Sequence, residues 1–397
     1  MRLPLLLASL LPAAWLHAAE IATGSMLGLR YDQRAFYYRT SDNPTWRKTY
    51  TDKGYRGQAR GKLMNLRIAQ ALYHDEWLTE RPFDPEANTR RVIEALDFYK
   101  RHGVLMVSVS LQGGNPGYSP ETNGIARQNT AKNGREQGLL VTAFQPDGSL
   151  KPQWLARLES LLRAAGQRGM FVCLMYFYQG QDEVLDSPEA IETAARNMTD
   201  WLIDKKFRNV IIDVANEWNL QGDRWDHGEY IPQNIAGLIE RIRERFQRRR
   251  ADFTLPIGAS TSGNMLYPAS LIEICDLVLL HGNGRTPSEK TERLQLYTKH
   301  PRPVLMNEDD NGRETTVAHL ANELASADLL FRNATGWGYM PWVQSQRFPF
   351  HYQPGPKAEF SDQTPVAERD PAYFHAVLDH IARLVLNRNP DGGKWKR

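Results

Sequence analysis

From residue 62 onward the chain switches repeatedly between two hydrophobic periods. Short apolar runs, read as strands, occupy 63–70, 104–111, 170–178, 209–216, 254–260, 276–281, 303–307 and 335–342. Amphipathic stretches of helical period separate and follow them at 85–101, 151–168, 187–205, 231–250, 267–273, 287–300, 315–332 and 371–386. Asp84-Pro85, Ser187-Pro188 and Asp370-Pro371 each place a capping side chain before a proline suited to a first helical turn. Eight strands each followed by a helix is the count of an α/β protein of the (β/α)8 TIM-barrel type. The same alternation fits an open doubly wound sheet, but no strand leads into Gly-x-Gly-x-x-Gly or a phosphate-binding loop, which disfavours that reading. Residues 20–61, aromatic and basic with weak periodicity, are expected to form a short N-terminal extension with short strands, and 62–397 the barrel domain.

The strand faces favour closure. Val210, Ile212 and Val214 alternate with Ile211, Asp213, Ala215 and Glu217, and Ser108, Ser110 and Gln112 oppose Val107, Val109 and Leu111. One face suits a helix layer and the other a polar lumen. A lumenal charge needs a partner, and Arg67 with Asp213, Glu217 or Glu308 is the pairing expected. The long connections 112–150 and 343–370 both leave strand C-termini, the end where barrel enzymes build their sites.

Composition narrows the class. A chain of 397 residues with 41% hydrophobic and 24% charged residues is neither fibrous nor disordered. A formal charge of +3 gives no footprint for nucleic acid, and the arginine-rich stretch 241–250 ends a helix, where cations suit the macrodipole. Residues 1–19 (Arg2, an apolar run from Leu3 to Leu16, then Ala18 and Ala19) read as a secretory signal peptide, so a secreted or periplasmic protein with no membrane segment after cleavage is expected. Cys173 and Cys275 lie at apolar positions and read as buried free thiols.

The chemistry stands at two strand ends. The fourth strand closes Asp213-Val-Ala-Asn216-Glu217-Trp218 and the seventh closes Pro303-Val-Leu-Met-Asn307-Glu308-Asp309-Asp310. Two carboxylates emerging on one barrel face are what glycosidic cleavage uses: one protonates the leaving oxygen, the other attacks the anomeric carbon. Asn322-Glu323 repeats the dipeptide inside a helix, so only placement makes the other two informative.

On Val-Ala-Asn216-Glu217 and Pro-Val-Leu-Met-Asn307-Glu308, with His281 ending strand six and Trp337-Gly-Tyr-Met-Pro-Trp342 ending strand eight, the chain resembles glycoside hydrolase clan A, as a divergent member, over about residues 62–390. The resemblance implies a retaining β-glycosidase with Glu217 as acid/base, Glu308 as nucleophile, Asn216 on a sugar 2-hydroxyl, Trp342 as a stacking floor and Arg67 as the arginine early in the barrel. It implies a carbohydrate substrate and needs no cofactor or metal. Two features depart from it. Strand six ends His281-Gly282-Asn283-Gly284 where a tyrosine usually stands, and Asp309 and Asp310 are alternative nucleophiles.

For an acid the Glu217 pKa should be raised, with Trp218 as an apolar wall; Glu308 should be ionised, aided by Arg67 or His281. Tyr178, Gln112, His281 and Asn283 are further substrate contacts; Tyr176, Asn115, Gln179, Gln181 and Asp182 are weaker candidates, as core or loop residues. Trp218, Trp225, Trp337 and Trp342 are read as partly a sugar-stacking surface. Two rival readings follow: a metal-dependent hydrolase with its metal between His281 and Asp309 or Asp310, the grouping that His74, Asp75 and Glu76 would join; and an inactive carbohydrate-binding barrel.

Overall fold

The computed structural model describes residues 26–74, 76, 83–113, 141–220, 224–309, 315–346, 349–354, 360–361 and 363–392. The expected signal segment 1–19, Asp75, Asn115, Asp310 and most of the connection after the second barrel strand lie outside them.

Three antiparallel strands come first: β1 (Met26–Asp32), β2 (Ala35–Thr40) and β3 (Arg47–Lys48). Eight parallel strands follow: β4 (Leu63–Arg67), β5 (Met106–Ser110), β6 (Phe171–Tyr178), β7 (Val210–Asn216), β8 (Ile257–Gly258), β9 (Val278–His281), β10 (Val304–Glu308) and β11 (Gly336–Tyr339). Neighbours pair in chain order, β11 returns to β4, and a parallel bridge from Ser260 to Leu279 joins the β8 and β9 sides. The result is the (β/α)8 TIM barrel expected from the periodicity. The helices are α1 (Pro85–Arg101), α2 (Pro152–Gln167), α3 (Pro188–Asp204), α4 (Ile235–Arg248), α5 (Ala269–Ile274), α6 (Pro287–Gln295), α7 (Val317–Asn333) and α8 (Val366–Val385).

Local chemistry explains most boundaries. Asp84 caps α1 by accepting from the Ala87 N–H at 2.8 Å, and Ser187 caps α3 through Ala190. Thr286 and Glu289 form a reciprocal capping box at α6. Asp370-Pro371 does not start a helix: α8 begins five residues earlier, Pro371 lies inside it, and Asp370 Oδ1 instead accepts from the Thr315 hydroxyl at 2.7 Å. A proline one turn in forfeits a single backbone bond, a small loss beside the burial of Phe374, Val377, Leu378 and Ile381 on that helix.

The small sheet seals the barrel end at which the strands begin. Tyr38 meets Phe171 edge-on at 5.9 Å, the Tyr50 hydroxyl donates to the Gly103 carbonyl, and Tyr55 bridges to Leu386. Extension and barrel share one hydrophobic core. Cys173 and Cys275 are buried free thiols, burial pushing both up, Cys275 to about 12. Of the arginines of 241–250, Arg241, Arg243, Arg245 and Arg249 pair with acids of the neighbouring helices and loops, such as Arg245 with Asp200 and Arg249 with Asp204, and Arg248 pairs with Glu244 on its own helix. Among the described residues no helix is long and apolar enough to cross a membrane.

Barrel closure depends on a close strand approach at Gly336, where an added Cβ would stand 1.8 Å from the Leu63 carbonyl oxygen and 2.6 Å from Leu305 Cδ1. Backbone cannot yield as a side chain does. Gly336→Ala is therefore expected to cost at least the 1–3 kcal/mol, roughly, of core overpacking, read as a lower urea midpoint.

Candidate active site

At the C-terminal mouth of the barrel, β7 gives way to a sharp turn. Glu217 takes φ 50°, left-handed backbone that costs a non-glycine residue about 1–2 kcal/mol. Ser260 holds this turn: its hydroxyl accepts from the Glu217 N–H at 3.3 Å and its carbonyl from the Trp218 N–H at 3.1 Å. Opposite, a register shift between Met306 and Glu308 in the β9–β10 ladder pairs Glu308 with His281. Such irregularities re-aim side chains at sheet ends.

Six side chains then close a polar ring. Arg67 Nε lies 2.5 Å from Glu308 Oε2, and Arg67 Nη2 donates to Asn216 Oδ1 at 2.9 Å. Asn216 Nδ2 donates to Gln179 Oε1 at 2.9 Å, and Gln179 Nε2 to Glu217 Oε2 at 3.0 Å. His281 Nδ1 completes the circuit, 3.2 Å from Glu217 Oε1 and 3.5 Å from Glu308 Oε2. A carboxylate oxygen of each glutamate and this nitrogen lie within 4.8 Å of one another. Of the partners weighed for Arg67, Glu308 is the one that takes the ion pair. Asn283 adds a 2.5 Å hydrogen bond from Nδ2 to Glu308 Oε1, so an amide serves the carboxylate where the resemblance placed a tyrosine.

The ionisation of Glu217 differs from the sequence expectation. Burial, the largest influence, pushes its carboxyl up, but the His281 hydrogen bond and charge, together with Arg67 and Arg224, outweigh burial and hold it below the usual 4.5. The apolar wall expected of Trp218 is thus overridden by cations. Deeper in the lumen, burial pushes the Asp213 carboxyl up to about 6; its oxygens accept from the Ser260 N–H at 2.8 Å and from Asn307 Nδ2 at 3.3 Å.

Asp309 faces the other way. Successive residues on a strand point to opposite faces, and Asp309 is fully buried between the barrel and its helices. Lys290 of α6 donates to both its oxygens, at 2.7 and 2.9 Å, and the Trp337 indole N–H to Oδ2 at 2.8 Å. The metal grouping of His281 with Asp309 does not form: among the described residues His281 groups with Glu217 and Glu308, and the Arg67 guanidinium beside Glu308 opposes a metal cation there. Glu76 is spent on Lys151 and the Trp154 indole.

The remaining candidates separate by role. Gln112 is fully buried with its amide committed to the Tyr178 N–H, Thr142 and the Gln181 carbonyl, so it pins loops together. Tyr178 closes β6 at 8% exposure. Tyr176 points its hydroxyl at Thr199 of α3, in the packing layer. Trp337 and Trp225 are buried and offer no stacking surface, which corrects that reading for these two. Trp218 and Trp342 are partly exposed; Trp342 opens a single wide turn whose Ser345 and Gln346 bond the Arg67 carbonyl at the mouth.

Sequence reading missed Ser260 and Lys290. A usable signal for Lys290 was its helical spacing, four residues before the buried Leu294 on the same face of α6.

No protein-family model matches the chain, and no curated protein matches it in sequence. Solved structures share its fold. A glycoside hydrolase family 5 protein from Bacteroides vulgatus ATCC 8482 aligns with a TM-score of 0.54 at 12% identity, over 91% of this chain and 72% of that one. A structure described as a glycoside hydrolase aligns at 0.51 and 12% identity, over 90% and 73%. A candidate glycoside hydrolase from the same Bacteroides strain aligns at 0.49 and 11%, over 80% of this chain, which spans only 55% of that one. At such identities the likeness is one of fold.

Proposed function

We propose that this protein is an exported retaining glycoside hydrolase that cleaves a β-linked glycan or glycoside. The observation that carries the reading is the placement of two glutamates on the fourth and seventh barrel strands, with carboxylate oxygens within 4.8 Å across the active-site mouth. Retaining enzymes hold their carboxyl pair about 5–5.5 Å apart, whereas inverting ones leave room for a water at about 6.5–9.5 Å. The fold shared with solved glycoside hydrolases supports the same class.

The chemistry follows from the ring. Glu308, paired with Arg67 and receiving the Asn283 amide, is oriented to attack the anomeric carbon. As the bond to the leaving oxygen breaks, Glu217 delivers a proton to it, and a glycosyl ester forms on Glu308. A water entering on the leaving-group side is then deprotonated by Glu217 and displaces Glu308, restoring both groups. Asn216 donates one amide hydrogen to Gln179 and has a second for a sugar hydroxyl, and Trp342 offers a partly exposed apolar ring on the turn that bonds the Arg67 carbonyl. The near-balanced charge of +3 suits a neutral glycan, which needs no electrostatic steering, and the 1–19 pattern supports export.

Screening against aryl β-glycosides and β-glycans, with Glu217→Gln as control, tests the reading. Turnover that survives chelator and is lost in the control supports it. Turnover abolished by chelator favours metal-dependent hydrolysis, and glycan binding without turnover favours the binding barrel. Because Glu217 must be protonated to act, kcat/KM is expected to fall as pH rises through its lowered pKa. Replacing His281 by Gln removes the main force lowering that pKa and leaves only Arg67 and Arg224 against burial, so the pKa rises. The alkaline limb of the kcat/KM profile is therefore expected to move to higher pH; an unmoved limb would contradict the coupling.

A further inference from the structure

At the barrel end opposite Glu217 and Glu308, three ligand-type side chains converge where α1, α8 and the chain beyond α8 meet. His102 ends α1, Asp379 lies on α8, and Asp391 lies past it. His102 is 1% exposed and stacked on Phe98, ring centres 4.2 Å apart. Its Nδ1 lies 2.9 Å from the Phe98 carbonyl oxygen. A carbonyl only accepts, so Nδ1 carries the hydrogen and the neutral ring presents the Nε2 lone pair. That nitrogen has no hydrogen-bond partner, and faces Asp379 Oδ1 at 3.7 Å and Asp391 Oδ1 at 4.0 Å.

A lone pair aimed at two carboxylates is repulsive unless a positive species stands between them. The two candidates are a proton on Nε2 and a metal ion. A protonated Nε2 would donate a hydrogen bond, but at 3.7 and 4.0 Å neither carboxylate stands within hydrogen-bond reach, which disfavours the proton. The distances favour an ion. Donors about 2.0–2.2 Å from zinc at tetrahedral angles sit roughly 3.4 Å apart; the two histidine-to-carboxylate spacings, 3.7 and 4.0 Å, lie close to that, and the three donor atoms are all within 4.8 Å of one another. The Nδ1–H bond to a backbone carbonyl is the support that fixes a metal-binding histidine in its tautomer.

We propose that His102, Asp379 and Asp391 form a binding site for a divalent transition metal of the zinc type, which ties the end of α1 to α8 and the chain after it. The imidazole sets the class, since calcium and magnesium prefer all-oxygen cages. The site is structural: it stands at the end of the barrel away from the catalytic mouth.

The test is metal analysis and calorimetry of the full chain with Zn2+, with Ca2+ and Mg2+ as separate arms. Because Glu217, His281 and Glu308 offer a second group of donors, the Glu217→Gln/Glu308→Gln double variant is titrated in parallel. Expected are one zinc per chain in both proteins, a thermal midpoint that rises with Zn2+, and an affinity weaker by about tenfold or more in Asp391→Asn. Asp391 is partly exposed, so this variant folds even where His102→Gln does not. Zinc binding unchanged in Asp391→Asn, binding lost only in the double glutamate variant, no zinc taken up, or tighter binding of Ca2+ than of Zn2+ would each overturn the proposal.

Discussion

Glu308→Gln is expected to lower kcat on the order of 10⁶-fold, the scale on which removal of an enzyme's nucleophile is measured, with the fold intact. The amide is nearly isosteric with the carboxylate, so Arg67 and Asn283 keep a neighbour of the same shape, but the atom that must bond to the anomeric carbon is gone. Glu217→Gln is expected to behave differently. Loss of the general acid costs about 10²–10⁴-fold on substrates with poor leaving groups. Aryl glycosides with acidic phenols need little protonation, so for them the first step is spared and the covalent intermediate accumulates. Burst kinetics with an activated aryl glycoside separates the two roles: a burst in Glu217→Gln and none in Glu308→Gln. The opposite pattern would exchange the assignments.

The second large effect falls on stability. Lys290 and Asp309 form an ion pair with both side chains wholly buried, completed by the Trp337 N–H and the Ser326 hydroxyl. Removing one member strands the other charge in a dry layer. Lys290→Met is expected to destabilise the protein by about 3–5 kcal/mol, and replacing both members with apolar residues to recover much of that loss. Urea unfolding of the single and double variants measures it. The same pair distinguishes the two neighbouring acids. Asp309→Asn is expected to lower stability while leaving kcat of the folded enzyme unchanged. If Asp309→Asn is inactive while Glu308→Gln turns over, the nucleophile has been misassigned.

Much of this arrangement was legible in the chain because it rests on local rules. Every barrel strand was marked by an apolar run, and α1 and α3 by a cap followed by proline. Glu217 and Glu308 were marked by ending strands four and seven. What escaped depends on contacts between distant segments. Asp370-Pro371 carries the local signature of a helix start, yet burial of the α8 face overrides one missing backbone bond. Trp337 reads like a strand-end aromatic, but its parity on β11 sends it to the buried Asp309. The Glu217 pKa was expected to rise from its neighbour in sequence; burial does push it up, but the groups that outweigh burial, His281 and Arg67 foremost, come from strands six and one of the barrel. Gln112 shows the same limit from the other side: a polar strand-end residue suited to a sugar is consumed by three internal bonds.

The central claim is double displacement by Glu217 and Glu308, and the stereochemistry of the first-formed product tests it most directly. Proton NMR of the hemiacetal released from whichever β-glycoside is turned over is expected to show the β anomer first, with the α anomer appearing only by mutarotation. An α anomer formed first, or no turnover of any β-linked substrate above the Glu217→Gln control, would contradict the account.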